Sequence, residues 1–283
     1  MDIQRVETLS SLIRQWVSET EGRFTTREID SDLGIETREG KGLRRAVIKQ
    51  LCDKGTIRRL PNAIGVYRRV DADIKLLNWR IADPSKIIKL KFTFGIEEYV
   101  EIYPKNIIII GGSKDAGKTA YVLNLIALNM YEFDIWYFSS ESGDLELKKR
   151  LLRFQQEGIV GLDQWRFNAV ERSRDFADII KPNAVNIIDY LEIYENFYEI
   201  GGLINDIYEQ LRDGIAIIVL QKNPGLELPL GKGRGLEKAR LYLAMDPGEL
   251  TIRVAKNRAR DTVNPIGKKF TYKLIQGAKF IET

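Results

Sequence analysis

The chain of 283 residues contains no histidine, one cysteine, and no apolar run approaching the eighteen residues of a membrane-spanning helix. Without an imidazole there is no Ser-His-Asp or Cys-His catalysis and no HExxH metal site, because each needs a ring nitrogen that titrates near neutrality. The lone Cys52 excludes an internal disulfide and a cysteine-rich zinc site. The first residues, MDIQRVETLSSLIRQWV, lack the basic flank and unbroken apolar core of a signal peptide, so a soluble cytoplasmic protein without membrane contact is expected.

What is present suffices for one large or two small globular domains: 44% hydrophobic and 30% charged residues. The net charge of +4 is unevenly spread. Residues 36–70 carry ten basic and three acidic side chains, 132–221 carry nine and seventeen, and 222–283 carry thirteen and six. Two basic regions therefore flank an acidic middle, a distribution that suits either solvated faces or contact with nucleic acid.

The first seventy residues read as three helices closed by a hairpin. Val6, Leu9, Leu12, Ile13, Trp16 and Val17 recur at helical spacing over residues 5–19. Thr25 and Thr26 followed by Glu28 form a capping signal for a second helix that Gly34 ends. A third helix over 42–53 puts Leu43, Ala46, Val47 and Leu51 on one stripe and leaves Arg44, Arg45 and Lys49 off it. Two extended runs, TIRRL and AIGVYRRV, follow, joined by Pro61-Asn62. This order resembles a winged helix-turn-helix domain at 1–70. In that reading the third helix enters duplex DNA while Arg58, Arg59, Arg68 and Arg69 meet phosphates; a protein–protein module of the same shape is the alternative. Residues 71–94 read as a linker.

From Asn106 onward, apolar runs of strand length alternate with helical stretches. They are NIIIIGG (106–112), DIWYFSS (134–140), AVNIIDY (184–190), IAIIVLQ (215–221), LYLAM (241–245), ELTIRVAKN (249–257) and FTYKLI (270–275). Such a pattern predicts an α/β domain at 95–283 with a largely parallel sheet covered on both faces and an antiparallel edge.

The first of these strands runs into Gly112-Ser113-Lys114-Asp115-Ala116-Gly117-Lys118-Thr119, which satisfies G-x-x-x-x-G-K-[ST]. Glycines let a backbone fold around phosphate oxygens, Lys118 supplies a cation to the β and γ phosphates, and Thr119 offers a hydroxyl to Mg2+. The helix starting at Lys118 adds its positive dipole end. ATP with Mg2+ is the expected ligand. Asp189 ends a strand as a Walker B acid does, and Glu141 lies at the carboxyl edge of the sheet, where open α/β sheets bind ligands. An acid at 141 also suits the start of a helix over 142–154.

The ordered set FSSE, IIDYLEI, IIVLQKN and VAKNRARDTVNPIG is similar to the motifs of RecA-like ATPases, and among them of DnaB-type hexameric helicases. The resemblance spans about residues 95–281. It implies that Glu141 polarises the attacking water, that Asp189 serves the metal, and that Gln221 senses the γ-phosphate. It implies further that Lys256 and Arg258 reach a neighbouring subunit's site in a homo-oligomer, a hexamer in the DnaB case. Lys232 and Arg234, in the glycine-rich stretch NPGLELPLGKGRGL, stand where such proteins contact single-stranded DNA. DnaB-type proteins begin with an all-helical collar, whereas this sequence reads as starting with a winged helix. The expected function is an ATP-driven, ring-forming, helicase-like DNA motor of a mobile element. A recombination filament and a nucleotide-controlled DNA-binding switch or helicase loader remain as alternatives.

Overall fold

Thr25 accepts a hydrogen bond from the N–H of Glu28, whose carboxylate reaches back to the N–H of Thr25, and this reciprocal cap starts the second helix. The element order around it is α1 (Ile3–Glu19), β1 (Arg23–Thr25), α2 (Thr26–Asp32), α3 (Arg38–Asp53), β2 (Ile57–Arg59) and β3 (Val66–Arg69). The three strands form an antiparallel sheet in the order β1-β3-β2. Ile13 and Val17 of α1, Phe24, Ile29, Ile35, Val47, Ile48, Leu51 and Ile57 make its core.

The computed structural model describes residues 3–20, 22–61, 63–70, 76–191, 199–229 and 232–283; of residues 3–7 and 232 only the backbone is described. The chain divides into two units, Met1–Ala82 and Asp83–Thr283. Among the described residues no helix is long and apolar enough to cross a membrane.

Three sequence expectations for the first unit need correction. The third helix begins at Arg38, capped by Thr37, and its buried stripe is Gly40, Arg44, Val47, Ile48 and Leu51, with Ala46 exposed. Strand β1 was not anticipated, because three residues are too few to show a period of two. The linker of 71–94 is too long: Leu90 and Phe92 are buried in the core of the second unit, and the Ile88 N–H bonds the Ile102 carbonyl. Residues 71–75 lie outside the described residues.

The second unit contains β4 (Ile107–Gly112), α4 (Lys118–Asn129), β5 (Ile135–Ser139), α5 (Asp144–Gln156), β6 (Asn168–Glu171), β7 (Val185–Asp189), α6 (Ile200–Gln210), β8 (Ile215–Gln221) and β9 (Ala239–Asp246). It ends with β10 (Glu249–Ala255), β11 (Lys269–Ile275) and β12 (Lys279–Glu282). These strands form one sheet in the order β12-β11-β10-β9-β4-β8-β7-β5-β6. The pairs from β9 through β6 are parallel, and β10, β11 and β12 add antiparallel strands at one side.

Burial alternates along β4. Ile108 and Ile110 join the core under α4 and α5, whereas Ile107 and Ile109 join a second core under α6. A strand clothed on both faces has no polar side to show, which is why IIIIGG is apolar without a break. The short edge strands β6 and β12 were missed in the sequence because their exposed residues interrupt any apolar run.

The chain leaves β4 between β8 and β9, neighbours that come much later in sequence. Helix α4, which follows β4, packs on one face of the sheet and α6, which follows β7, on the other, so a crevice opens at the carboxyl ends between them. The sheet thereby gathers the ends of β4, β5, β7 and β8 at one edge.

Candidate active site

The turn from Gly112 to Thr119 depends on glycine for reasons of space. A Cβ on Gly112 would lie 2.4 Å from Cγ of Lys118, and one on Gly111 would lie 2.6 Å from the Tyr242 hydroxyl. Gly117, the N-cap of α4, has φ of +85°, a left-handed conformation that disfavours any side chain. With these glycines in place, Lys118 folds back over the turn and its Nζ donates to the Ser113 carbonyl at 3.0 Å.

Not every residue of the motif faces the ligand space. Lys114, Asp115, Gly117, Lys118 and Thr119 line a cleft of about 500 Å³, while Gly112, Ser113 and Ala116 are buried behind it. The Ser113 N–H donates to the Met245 carbonyl at 3.1 Å, which anchors the turn to β9. The eight motif residues expected at the nucleotide thus divide into five that line the cleft and three that lie behind it.

Around the same cleft stand Glu141, Asp189 and Gln221, from the ends of β5, β7 and β8. Asp189 is buried, with 5% of its surface exposed, and accepts a hydrogen bond from the Tyr137 hydroxyl at 2.9 Å. Burial raises its pKa above the ordinary carboxylate value, although hydrogen bonds from Tyr137 and Thr119 and the charges of Arg150 and Lys118 act the other way. Burial likewise holds the Lys118 ammonium below its ordinary pKa, against the pull of the Asp189, Glu141 and Asp115 carboxylates. Tyr137, pinned against Asp189 and buried, is pushed far above the usual phenol range.

Glu141 is exposed to the cleft and precedes the helix: the N-cap of α5 is Gly143, and the acids of its first turn are Asp144 and Glu146. The helix-start role is therefore filled by other residues. The hydroxyl of Thr119 and the carboxylate of Asp189 are hard oxygen donors beside the phosphate turn and fit a magnesium ion. Among the described residues no group of three or more acidic or cysteine side chains forms a metal cage.

The sequence reading missed Arg150, which lines the cleft and whose charge acts on Asp189. Its signal was helical phase: with Leu147, Leu151 and Phe154 it falls on the inward stripe of α5.

Lys256 and Arg258 do not line the cleft. They follow β10, which runs antiparallel to β9, so they lie at the opposite edge of the sheet, a strand length of roughly 20 Å away. The Lys256 Nζ is 3.3 Å from the Glu237 carbonyl, and Arg258 bridges to Val100. Arg234 is exposed in a 3-10 turn over Lys232–Leu236, and the side chain of Lys232 lies outside the described residues.

In the first unit the expected DNA contacts divide. Arg44 is not available: it is buried, with its guanidinium 2.7 Å from the Asp30 carboxylate and 2.6 Å from the Thr26 carbonyl. Arg45 and Lys49 of α3, and Arg58 and Arg59 of β2, are exposed. Arg69 is exposed as well but donates to the Ser18 carbonyl. Strand register adds a residue that the sequence did not disclose. Arg23 stands opposite Arg68, and Arg68 opposite Arg58, so three arginines cross the sheet in one row.

No family model matches this chain, and no curated protein does. Among solved structures the chain is similar to a KaiC-like protein of the hyperthermophilic archaeon Pyrococcus horikoshii OT3, with 15% identity and a TM-score of 0.50 over 71% of this chain and 100% of that one. It also matches the RadB recombinase, with 16% identity and a TM-score of 0.47 over 62% of this chain and 90% of that one. The fold is RecA-like. At such identity the likeness speaks to the fold alone; the chemistry of this RecA-like unit has to be argued from its own cleft.

Proposed function

We propose that the chain is a nucleotide-hydrolysing, DNA-binding motor of the RecA and DnaB kind, acting as a ring-forming, helicase-like replication protein of a mobile element. The observation that carries this reading is the convergence of Lys118, Thr119, Glu141, Asp189 and Gln221 on one cleft, although they are spread over 104 positions of sequence from Lys118 to Gln221 counted inclusively.

The chain's residues divide the work. Lys118 and Arg150 supply positive charge to the phosphates, and Thr119 with Asp189 would hold Mg2+. Bound there, the ion would neutralise charge on the β and γ phosphate oxygens. Glu141, exposed to the cleft outside the desolvated floor, orients a water for attack on the γ-phosphorus. Gln221, at the end of a strand hydrogen-bonded to the P-loop strand, registers whether that phosphate is present. Lys256 and Arg258 are too far from their own cleft to act in it, so their charge serves the cleft of an adjacent copy, which requires an oligomer.

DNA contact is assigned to two places. In the first unit, read as a winged helix, Arg45, Lys49 and Arg58 meet duplex phosphates together with Arg23 and Arg68. In the second, Lys232 and Arg234 meet single-stranded DNA. The row Arg23-Arg68-Arg58 supports the first assignment, since like charges opposite one another on a sheet cost stability unless an anion lies over them.

ATP turnover with and without single-stranded DNA tests the reading. A motor is expected to be stimulated at least about tenfold, and Mg-ATP is expected to raise the melting temperature by mass action. Unchanged melting in excess Mg-ATP would remove the nucleotide assignment; binding with slow, DNA-indifferent turnover would instead mark a nucleotide-controlled switch.

A further inference from the structure

Beneath the cleft lies a tyrosine where an apolar core needs only a ring. Tyr137 of β5 is buried; its ring meets Phe167 edge-on at 6.1 Å, and Phe167 in turn meets Trp165 at 5.7 Å. A phenylalanine would fill this place equally well, so packing accounts for the ring and not for the hydroxyl. Burying a hydroxyl costs free energy unless it is hydrogen-bonded.

The hydroxyl belongs to a line of buried polar groups. The Ser142 N–H donates to the Ser139 hydroxyl oxygen at 2.9 Å, the Ser139 hydroxyl bonds the Tyr137 oxygen, and the Tyr137 hydroxyl donates to Oδ2 of Asp189 at 2.9 Å. All four residues are buried. An ionised carboxylate only accepts and each hydroxyl has one proton, so the direction of the whole line is set from its Asp189 end. It starts at Ser139 and Ser142, on either side of Glu141, and finishes on Asp189.

What such a line does is fix an angle. The last torsion of an aspartate side chain has a broad profile, so a carboxylate without a directed partner turns about that bond. With Oδ2 pinned by a hydroxyl that is itself pinned, the plane of the Asp189 carboxylate is set, and with it the direction of Oδ1. Groups that orient an acid serving a metal commonly govern metal affinity by about ten- to a hundredfold.

We infer that Tyr137 is a positioning residue for the metal: its hydroxyl holds the Asp189 carboxylate in the orientation that magnesium beside the phosphate turn requires. This rests on the nucleotide and magnesium reading given above and names the residue that makes the acid selective. Magnesium demands near-ideal octahedral geometry and short bonds, whereas calcium accepts irregular geometry and longer ones. An acid left free to turn therefore loses more with the smaller ion. Tyr137 and Asp189 are 52 positions apart and meet through the parallel pairing of β5 with β7.

Calorimetric titration of the full chain with a non-hydrolysable ATP analogue, in Mg2+, in Ca2+ and in EDTA, tests it. The readout is the gain in affinity that each ion gives over EDTA, and no turnover enters. Tyr137→Phe should bind the analogue in EDTA as the wild type does, lose about tenfold of the Mg2+ gain and lose less than about threefold of the Ca2+ gain. On an Asp189→Asn background the same change should cost nothing further, because its effect runs through that acid. If Tyr137→Phe does not fold, Ser139→Ala, which unties the hydroxyl from its other side, should show the same order of losses at about threefold for Mg2+. An unchanged Mg2+ gain in a folded variant overturns the inference and leaves the hydroxyl a partner of Asp189 for the fold alone. Losses as large in Ca2+ or in EDTA as in Mg2+ overturn it too, since they mark a reshaped cleft, and so does an undiminished loss on the asparagine background. A wild type that binds no analogue defeats the nucleotide reading itself, and one that binds it without any gain from Mg2+ defeats the metal assignment; both are seen before any variant is made.

Discussion

The two units handle positive charge in opposite ways. In the second, Lys118 and Lys222 are drawn into the carboxyl edge of the sheet, each facing carboxylates, of which Asp189 has its pKa raised and Asp246 lowered. In the first, Arg23, Arg58 and Arg68 lie abreast across a three-stranded sheet, and the arginine that is buried, Arg44, is neutralised by Asp30. Desolvated, converging charge is the arrangement that chemistry on a phosphate needs. Solvated charge along a surface is what reading a polyanion needs, because the gain comes from released counterions. The contrast predicts that the two activities can be broken separately.

The largest effect should come from the cleft. Lys118→Ala and Asp189→Asn are each expected to lower ATP turnover by about a thousandfold or more, while Glu141→Gln should lose about a hundredfold and keep nucleotide binding. None of the three should alter duplex DNA binding measured without nucleotide, since none lies in the first unit. Steady-state turnover beside a DNA titration checks this. Full hydrolysis by Glu141→Gln would move the water-orienting role to another group, and loss of DNA binding in all three would merge the functions.

A smaller effect should follow from the arginine row. Replacing Arg23, Arg58 and Arg68 with serine should reduce the slope of log affinity for duplex DNA against log salt by about two to three, close to one for each phosphate no longer neutralised. Basal ATP turnover should stay at the wild-type rate. Arg44→Ala is the counterpart: it should leave the slope alone and destabilise the unit by about 3 kcal/mol, because it strands the Asp30 carboxylate. A slope that is unchanged in the triple variant would favour the protein–protein reading of this unit.

How much of this could be read in the sequence follows the same division. The strands that build the cleft are buried on both faces, so hydrophobicity announces them without a break, and the candidate residues stand at or just past their ends: Gly112, Ser139 before Glu141, Asp189, Gln221. Sequence position alone located those residues. Arg150 escaped because it comes from a helix, where phase and not adjacency decides what faces inward. The Lys222–Asp246 pair escaped because its partners are 24 positions apart on strands separated by β4. In the first unit, helix order was legible from caps and periodicity, but a phase error of less than one turn on α3 sent Arg44 to the wrong side. The arginine row depends on strand register, which a three-residue strand does not encode locally.

The smallest effect concerns the acids, and it probes whether the cleft floor carries a cost that the arginine surface does not. Burial raises the pKa of Asp189 in the folded state above the ordinary value of 3.8. Its carboxylate form is thus disfavoured by folding at any pH above that raised value, and the penalty fades as pH falls, disappearing below the unfolded value. Asp246 behaves oppositely. Burial pushes it up, but the hydrogen bonds and charge of Lys222 outweigh this and lower it, so its contribution is present above 3.8 and is lost only as pH falls through its depressed folded value. Thermal melting without nucleotide should therefore show Asp189→Asn more stable than wild type at neutral pH by a few degrees, about 2–4 °C for each kcal/mol in a unit of this size. The difference should narrow on acidification between the raised Asp189 value and 3.8, before the Asp246 pair begins to fail. An advantage that stayed constant across that range would mean that the asparagine acts by packing or hydrogen bonding, and that the acid of the cleft floor is held without electrostatic penalty.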